Sequence, residues 1–104
     1  MTDPGPVPGG GEYTEVPPAA LADWLDRFAG RHQGFATLRI TGTVVVLRAG
    51  DGTLAHLEVP NPPLDLPAAS AADPVQIVVL LTGVVDHVLG VPDAGPVRIH
   101  LRGR

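Results

Sequence analysis

The chain has 104 residues, a length that favours one small domain over two. It has no cysteine, which excludes disulfides and thiolate metal sites. Seven arginines and no lysines stand against eleven Asp and Glu residues, and the net charge of −4 argues against a general binder of phosphate backbones. No secretory signal is visible at the N-terminus, and residues 74–91, the most apolar stretch, carry polar side chains. We therefore expect a soluble cytoplasmic protein without a membrane contact.

Residues 1–15 are rich in Pro and Gly, a composition that predicts a disordered tail, with one small α+β domain over residues 16–104. Residues 16–34 predict the first helix, because two prolines open the segment and apolar residues then recur with helical spacing. These apolar residues are Leu21, Trp24, Leu25 and Phe28. We expect the core to form on this stripe, and Gly34 or Gly30 to supply the left-handed residue that ends the helix.

Three strands are predicted after this helix. Residues 35–41 alternate apolar and polar side chains, residues 43–49 are rich in β-branched residues, and residues 53–59 alternate again. Tight turns at residues 41–42 and 50–52 join them, which predicts an antiparallel meander. The prolines that follow residue 59 predict an irregular loop to residue 72, with Leu64 and Leu66 reaching the core.

Residues 75–89 predict a second helix, for which Asp73 is the N-cap and Pro74 the first helical residue. The segment is apolar nearly all round, so we expect burial on most of its faces. Two strands that turn at residues 82–83 are the competing interpretation. Residues 97–101 alternate and predict a last strand. The predicted order is α-β-β-β-α-β, an α+β fold with two helices packed on an antiparallel sheet.

Candidate site residues are few. His56 and His100 become neighbours if the third and fourth predicted strands pair. The two histidines then form either a functional site or a pair of solvated imidazole rings without a function. No histidines have the spacing of metal ligands, so we predict no metal site and no cofactor. Four arginines are placed to line one face of the sheet, where their side chains could hold phosphate or simply be solvated. These predicted binding residues are Arg39, Arg48, Arg98 and Arg102. With few aromatic residues, no stacking platform for single-stranded RNA is expected beside them.

Several segments resemble the actinobacterial Vms-like release-factor family. The first is EYTEVPPAALADWLDRFAGRHQG, at residues 12–34. Shorter similarities are AGDGT at residues 49–53, VPNPPL at 59–64, DHV at 86–88 and PVRIHLR at 96–102. Members of that family are peptidyl-tRNA hydrolases related to the eukaryotic release factors and are thought to act in ribosome rescue. The resemblance implies the N-terminal part of such a protein, without the region that holds the family's catalytic glutamine.

Gln33 is the one catalytic candidate, because residues 30–34 read G-x-x-Q-G. Helix termination explains both glycines without chemistry. The leading hypothesis is a non-enzymatic binding or accessory module in translation, with the ribosome, tRNA or a protein as partner. The alternatives are a small hydrolase that uses Gln33 or a site on His56 and His100, and a protein that dimerises through residues 75–89. We expect a monomer or a homodimer.

Overall fold

Six strands form one antiparallel sheet, and two helices pack against it in a computed structural model that describes residues 12–60 and 68–103. The strands are β1 (Glu12–Val16), β2 (Phe35–Thr41), β3 (Val44–Ala49), β4 (Leu54–Glu58), β5 (Ala69–Ala71) and β6 (Val97–Arg102). The helices are α1 (Leu21–His32) and α2 (Pro74–Leu89), and short 3-10 turns lie at Pro18–Ala20 and Pro92–Ala94. The sheet order is β1-β6-β4-β3-β2-β5. The predicted α+β class, element order and meander are confirmed, with two edge strands added.

Both added strands correct a prediction. The last residues of the predicted tail, 12–15, belong to β1, which pairs with β6. Residues 1–11 lie outside the described residues. The predicted loop to residue 72 contains β5, which pairs with β2, while Leu64 and Leu66 lie outside the described residues. Edge strands of this kind are held by backbone hydrogen bonds and bury little, so no apolar alternation marks them: within β1 only Val16 is buried.

α1 packs its predicted stripe on the sheet. Leu21, Leu25 and Phe28 are buried, whereas Trp24 is half-buried and stacks on Phe28 with ring centroids 5.3 Å apart. The helix ends at Gln33, whose φ of 70° is left-handed, followed by Gly34 at φ 78°. The prediction that a glycine supplies the capping conformation is therefore wrong, since Gln33 adopts it first.

α2 is a helix, as predicted, and the two-strand interpretation is wrong. The Asp73 carboxylate accepts the backbone N–H of Gln76 at 3.2 Å, which satisfies one of the free donors of the first turn. Only one stripe of α2 is buried, formed by Ile77, Leu81, Val84 and Val88. The prediction of burial on most faces is wrong, because the sheet covers one side of the helix: Val75 keeps 72% and Val79 63% of its surface exposed. No helix in the described ranges is long and apolar enough to span a membrane.

The core lies between the helices and one face of the sheet. Alternate residues of β2, β3, β4 and β6 point into it, among them Leu38, Leu47, Leu57 and Ile99. None of the described polar or charged residues is buried. Since both helices pack on the same side, the opposite side of the sheet, which we call the open face, presents its side chains to solvent.

Candidate functional site: the open face of the sheet

Strand register arranges the side chains of the open face in three rows that run across the strands. The central row is Ser70, Arg39, Val46, His56, His100 and Tyr13. On one side lies the row Thr37, Arg48, Leu54 and Arg102. On the other side lies the row Thr41, Val44, Glu58, Arg98 and Glu15. All four predicted arginines therefore share this face, and their role in binding stays a prediction.

Three of these arginines border two adjacent hollows. One hollow, of about 290 Å³, is lined by His56, His100 and Arg102. The other, of about 580 Å³, is lined by Arg39 and Arg48 together with Ser70 and parts of β2 and β5. Val46 and Leu54 line both hollows, so an apolar floor joins them. No carboxylate is among the described residues that line either hollow, which makes this part of the face cationic.

Arg98 is separated from the other three. Its cross-strand neighbours are Glu58 on β4 and Glu15 on β1, so two carboxylates offset its charge. It lines a different hollow, of about 470 Å³, together with Glu58, Pro60 and Pro96. Among the four predicted binding residues, Arg98 therefore has the weakest geometric support.

His56 and His100 are neighbours, as predicted from strand pairing. They face each other across β4 and β6 with ring centroids 6.4 Å apart and planes nearly perpendicular. The described residues contain no group of three or more His, Asp or Glu side chains suited to hold a metal ion. Tyr13 lies on the other side of His100, with ring centroids 4.7 Å apart. Tyr13 could not be identified as a site residue from the sequence, because the Pro- and Gly-rich composition predicts a tail through residue 15.

Gln33 lies away from the open face, at the end of α1. Its side chain is exposed, and within residues 12–60 and 68–103 no hydrogen bond holds its amide. An amide that orients a water must itself be fixed. The backbone of Gln33 has a packing role instead: a Cβ on Gly50 would lie closer to the Gln33 carbonyl oxygen than van der Waals contact allows.

A polar cluster at the same end of α1 was also missed by sequence reasoning. His32 Nδ1 lies 3.0 Å from Asp51 Oδ2 and 3.3 Å from Thr53 Oγ1, and the Thr53 backbone N–H donates to Asp51 Oδ1 at 2.9 Å. The hydrogen bonds from the Thr53 backbone and side chain, together with His32, lower the pKa of Asp51 to about 2. The signals in the sequence were a histidine in the last turn of the helix and an aspartate in the Gly-Asp-Gly turn.

The cluster does not have the geometry of a catalytic triad. A triad places the acid on one imidazole nitrogen and the nucleophile on the other. Here Asp51 and Thr53 both contact Nδ1 of His32, so His32 cannot take the proton of Thr53 while Asp51 orients the other nitrogen. The cluster ties the β3–β4 turn to the end of α1, together with the Asp51 N–H that donates to the His32 carbonyl at 3.0 Å.

Comparisons with known protein families, with curated proteins and with solved structures find no match to this chain. The candidate site is therefore defined by its geometry, and the open face is the surface of the described chain where the predicted binding residues meet.

Proposed function

We propose that this chain is a non-enzymatic binding module that holds RNA on the open face of its sheet and acts in translation. The observation that carries the proposal is the distribution of charge. The chain has a net charge of −4, yet the described residues of the open face include four arginines and only two carboxylates, Glu15 and Glu58. Three of these arginines border hollows in which no carboxylate is among the described lining residues. A guanidinium binds phosphate through paired hydrogen bonds, so this surface suits a polyanion.

The resemblance to the Vms-like release-factor family supports the translational part of the proposal. It implies a ribosome or tRNA partner, and the region that resembles the family lacks the catalytic part. An accessory module that contacts RNA is consistent with the cationic and ring side chains that the open face offers.

The test is co-sedimentation with ribosomes at about 50 mM and about 200 mM salt, since phosphate contacts weaken steeply as salt rises. We expect Arg48→Ala and Arg102→Ala each to weaken association and to reduce its salt dependence. Arg27→Ala is the matched control: it removes the same charge from an exposed position on α1, where Arg27 pairs with Asp23 at 3.1 Å. We expect this control to bind like the wild type.

Two results would contradict the proposal. One is the absence of any association at the lower salt concentration. The other is an equal effect of Arg27→Ala and the open-face substitutions, which would indicate a response to net charge alone. The homodimer alternative is tested separately by the mass of the protein in solution.

A further inference from the structure

Three ring side chains lie side by side at one end of the central row. His56 on β4 pairs with His100 on β6, and His100 pairs with Tyr13 on β1. The ring centroids of Tyr13 and His100 are 4.7 Å apart, and those of His100 and His56 are 6.4 Å apart. His56 is exposed and His100 is half-buried between its neighbours. We call this set the ring row. It gives the open face a continuous surface of ring edges and faces across three strands.

Tyr13 is held in this row. Its hydroxyl donates a hydrogen bond of 2.7 Å to Glu15 Oε2, two residues along the same side of β1. That hydrogen bond raises the pKa of Tyr13, whose phenol is neutral at physiological pH already at its ordinary pKa. Tyr13 nevertheless keeps 46% of its surface exposed, and in the described chain it is the only large hydrophobic residue so exposed outside α2. An aromatic side chain that is fixed at the surface and left half uncovered is well placed to contact a ligand.

The ring row lies directly beside the cationic hollows. Arg102 is two residues from His100 on β6 and therefore on the same face, about 7 Å along the strand. Arg102 and the two histidines line the same hollow, and its apolar floor continues to Arg39 and Arg48. Ring and guanidinium side chains therefore lie next to each other on the open face.

We infer that the open face binds single-stranded RNA, with bases stacked on the ring row and phosphates held by Arg102, Arg48 and Arg39. This inference rests on the proposed function and specifies its ligand. Bases of a single strand can turn out and stack on rings, whereas in a duplex their faces are already stacked on each other. An acidic protein segment is the competing ligand for the arginines, and the polyglutamate measurement below tests it. The small number of aromatic residues in the sequence is therefore no obstacle, because the sheet gathers the rings it needs.

The experiment measures the binding of a fluorescent oligouridylate of about ten nucleotides to the full chain by anisotropy, alone and annealed to oligoadenylate. We expect the single strand to bind about tenfold more tightly than the duplex. Tyr13→Ala should weaken binding of the single strand about tenfold and leave the slope of affinity against salt unchanged, because stacking releases no counterions. Arg102→Ala should instead reduce that slope by about 0.7.

Tyr13→Phe is the matched control: it keeps the ring and loses the hydrogen bond to Glu15, so it should bind within about twofold of the wild type if stacking dominates. His56→Ala provides a second ring variant at an exposed position, in case Tyr13→Ala disturbs the edge strand. Thermal melts establish that each variant is folded.

The inference is wrong if the duplex binds as tightly as the single strand, or if folded Tyr13→Ala and His56→Ala both bind like the wild type. In those cases RNA binding that still depends on Arg102 leaves the proposed function intact. If no RNA binds and polyglutamate does, both the inference and the proposed function are wrong.

Discussion

Substitution of Gly50 by alanine should separate the β3–β4 turn from the end of α1. A Cβ at this position would overlap the carbonyl oxygen of Gln33 and lie 3.0 Å from its carbonyl carbon and 3.2 Å from its Cβ. These are largely backbone atoms of the left-handed residue that ends the helix, so they cannot rotate away. The turn must therefore move away from the end of α1, which breaks two backbone hydrogen bonds between them.

The expected cost follows from those contacts. The Gly50 N–H donates to the Gly34 carbonyl at 2.9 Å, and the Asp51 N–H donates to the His32 carbonyl at 3.0 Å. A backbone hydrogen bond contributes about 1 kcal/mol net, and overpacking at a tight site costs about 1–3 kcal/mol more. We expect Gly50→Ala to lower the free energy of unfolding by about 3–5 kcal/mol if both hydrogen bonds are lost, a large part of the stability of a domain of this size.

The assay is urea unfolding followed by the fluorescence of Trp24, the single tryptophan, which stacks on Phe28 of the same helix. Gly30→Ala is the matched control. It makes the same substitution within α1, where a Cβ meets nothing within 4 Å, so it should raise the free energy of unfolding by about 0.5–1 kcal/mol. Equal midpoints for Gly50→Ala and the wild type would refute the close packing between turn and helix.

Two further predictions concern carboxylates. The pKa of Asp51 is about 2 in the folded chain against 3.8 for an ordinary aspartate, so the unfolded chain takes up the proton first as pH falls. The stabilisation that the ionised Asp51 gives to the folded state is therefore complete above about pH 4 and is lost as pH falls towards 2. Asp51→Asn should flatten the pH dependence of the urea midpoint between these pH values. An unchanged pH dependence would contradict this prediction. At the start of α2, Asp73→Ala should lower the free energy of unfolding by about 1 kcal/mol and Asp73→Asn by much less, whereas equal losses would show that Asp73 does not act as a cap.

Elements with a strong local signal could be predicted from the sequence. Alternation over residues 35–41 and the Gly-Asp-Gly turn define β2, β3 and β4 because one face of each strand meets the core. Asp73 and Pro74 mark the start of α2 because a helix needs a side-chain acceptor and tolerates proline there. These strands, turns and helix starts are determined by interactions among residues a few positions apart in the sequence.

Features that depend on how other helices and strands pack around an element could not be predicted from the sequence. An apolar helix looks the same in sequence whether one or two layers cover it, so the exposure of Val75, Val78 and Val79 had no local signal. β1 likewise carries no apolar alternation, because it lies at the edge of the sheet and only Val16 reaches the core. For that reason the sequence predicts a tail at Tyr13 and gives no sign of the ring row that this residue completes.

The net charge of this chain is a poor guide to its ligand, because the fold gathers arginines on one face of the sheet. The total of −4 argues against a general binder of phosphate backbones, yet a total says nothing about where the charges lie. Because strand residues alternate between faces, Arg39, Arg48 and Arg102 come from three different strands to one side of the sheet. Acidic residues such as Asp23, Asp26 and Asp86 lie on the helices, in the layer behind the sheet. A phosphate that approaches the open face meets the nearby arginines first, and at physiological salt charges more than about 8 Å away are largely screened. The local charge of the open face, and not the charge of the chain, therefore decides whether RNA binds there.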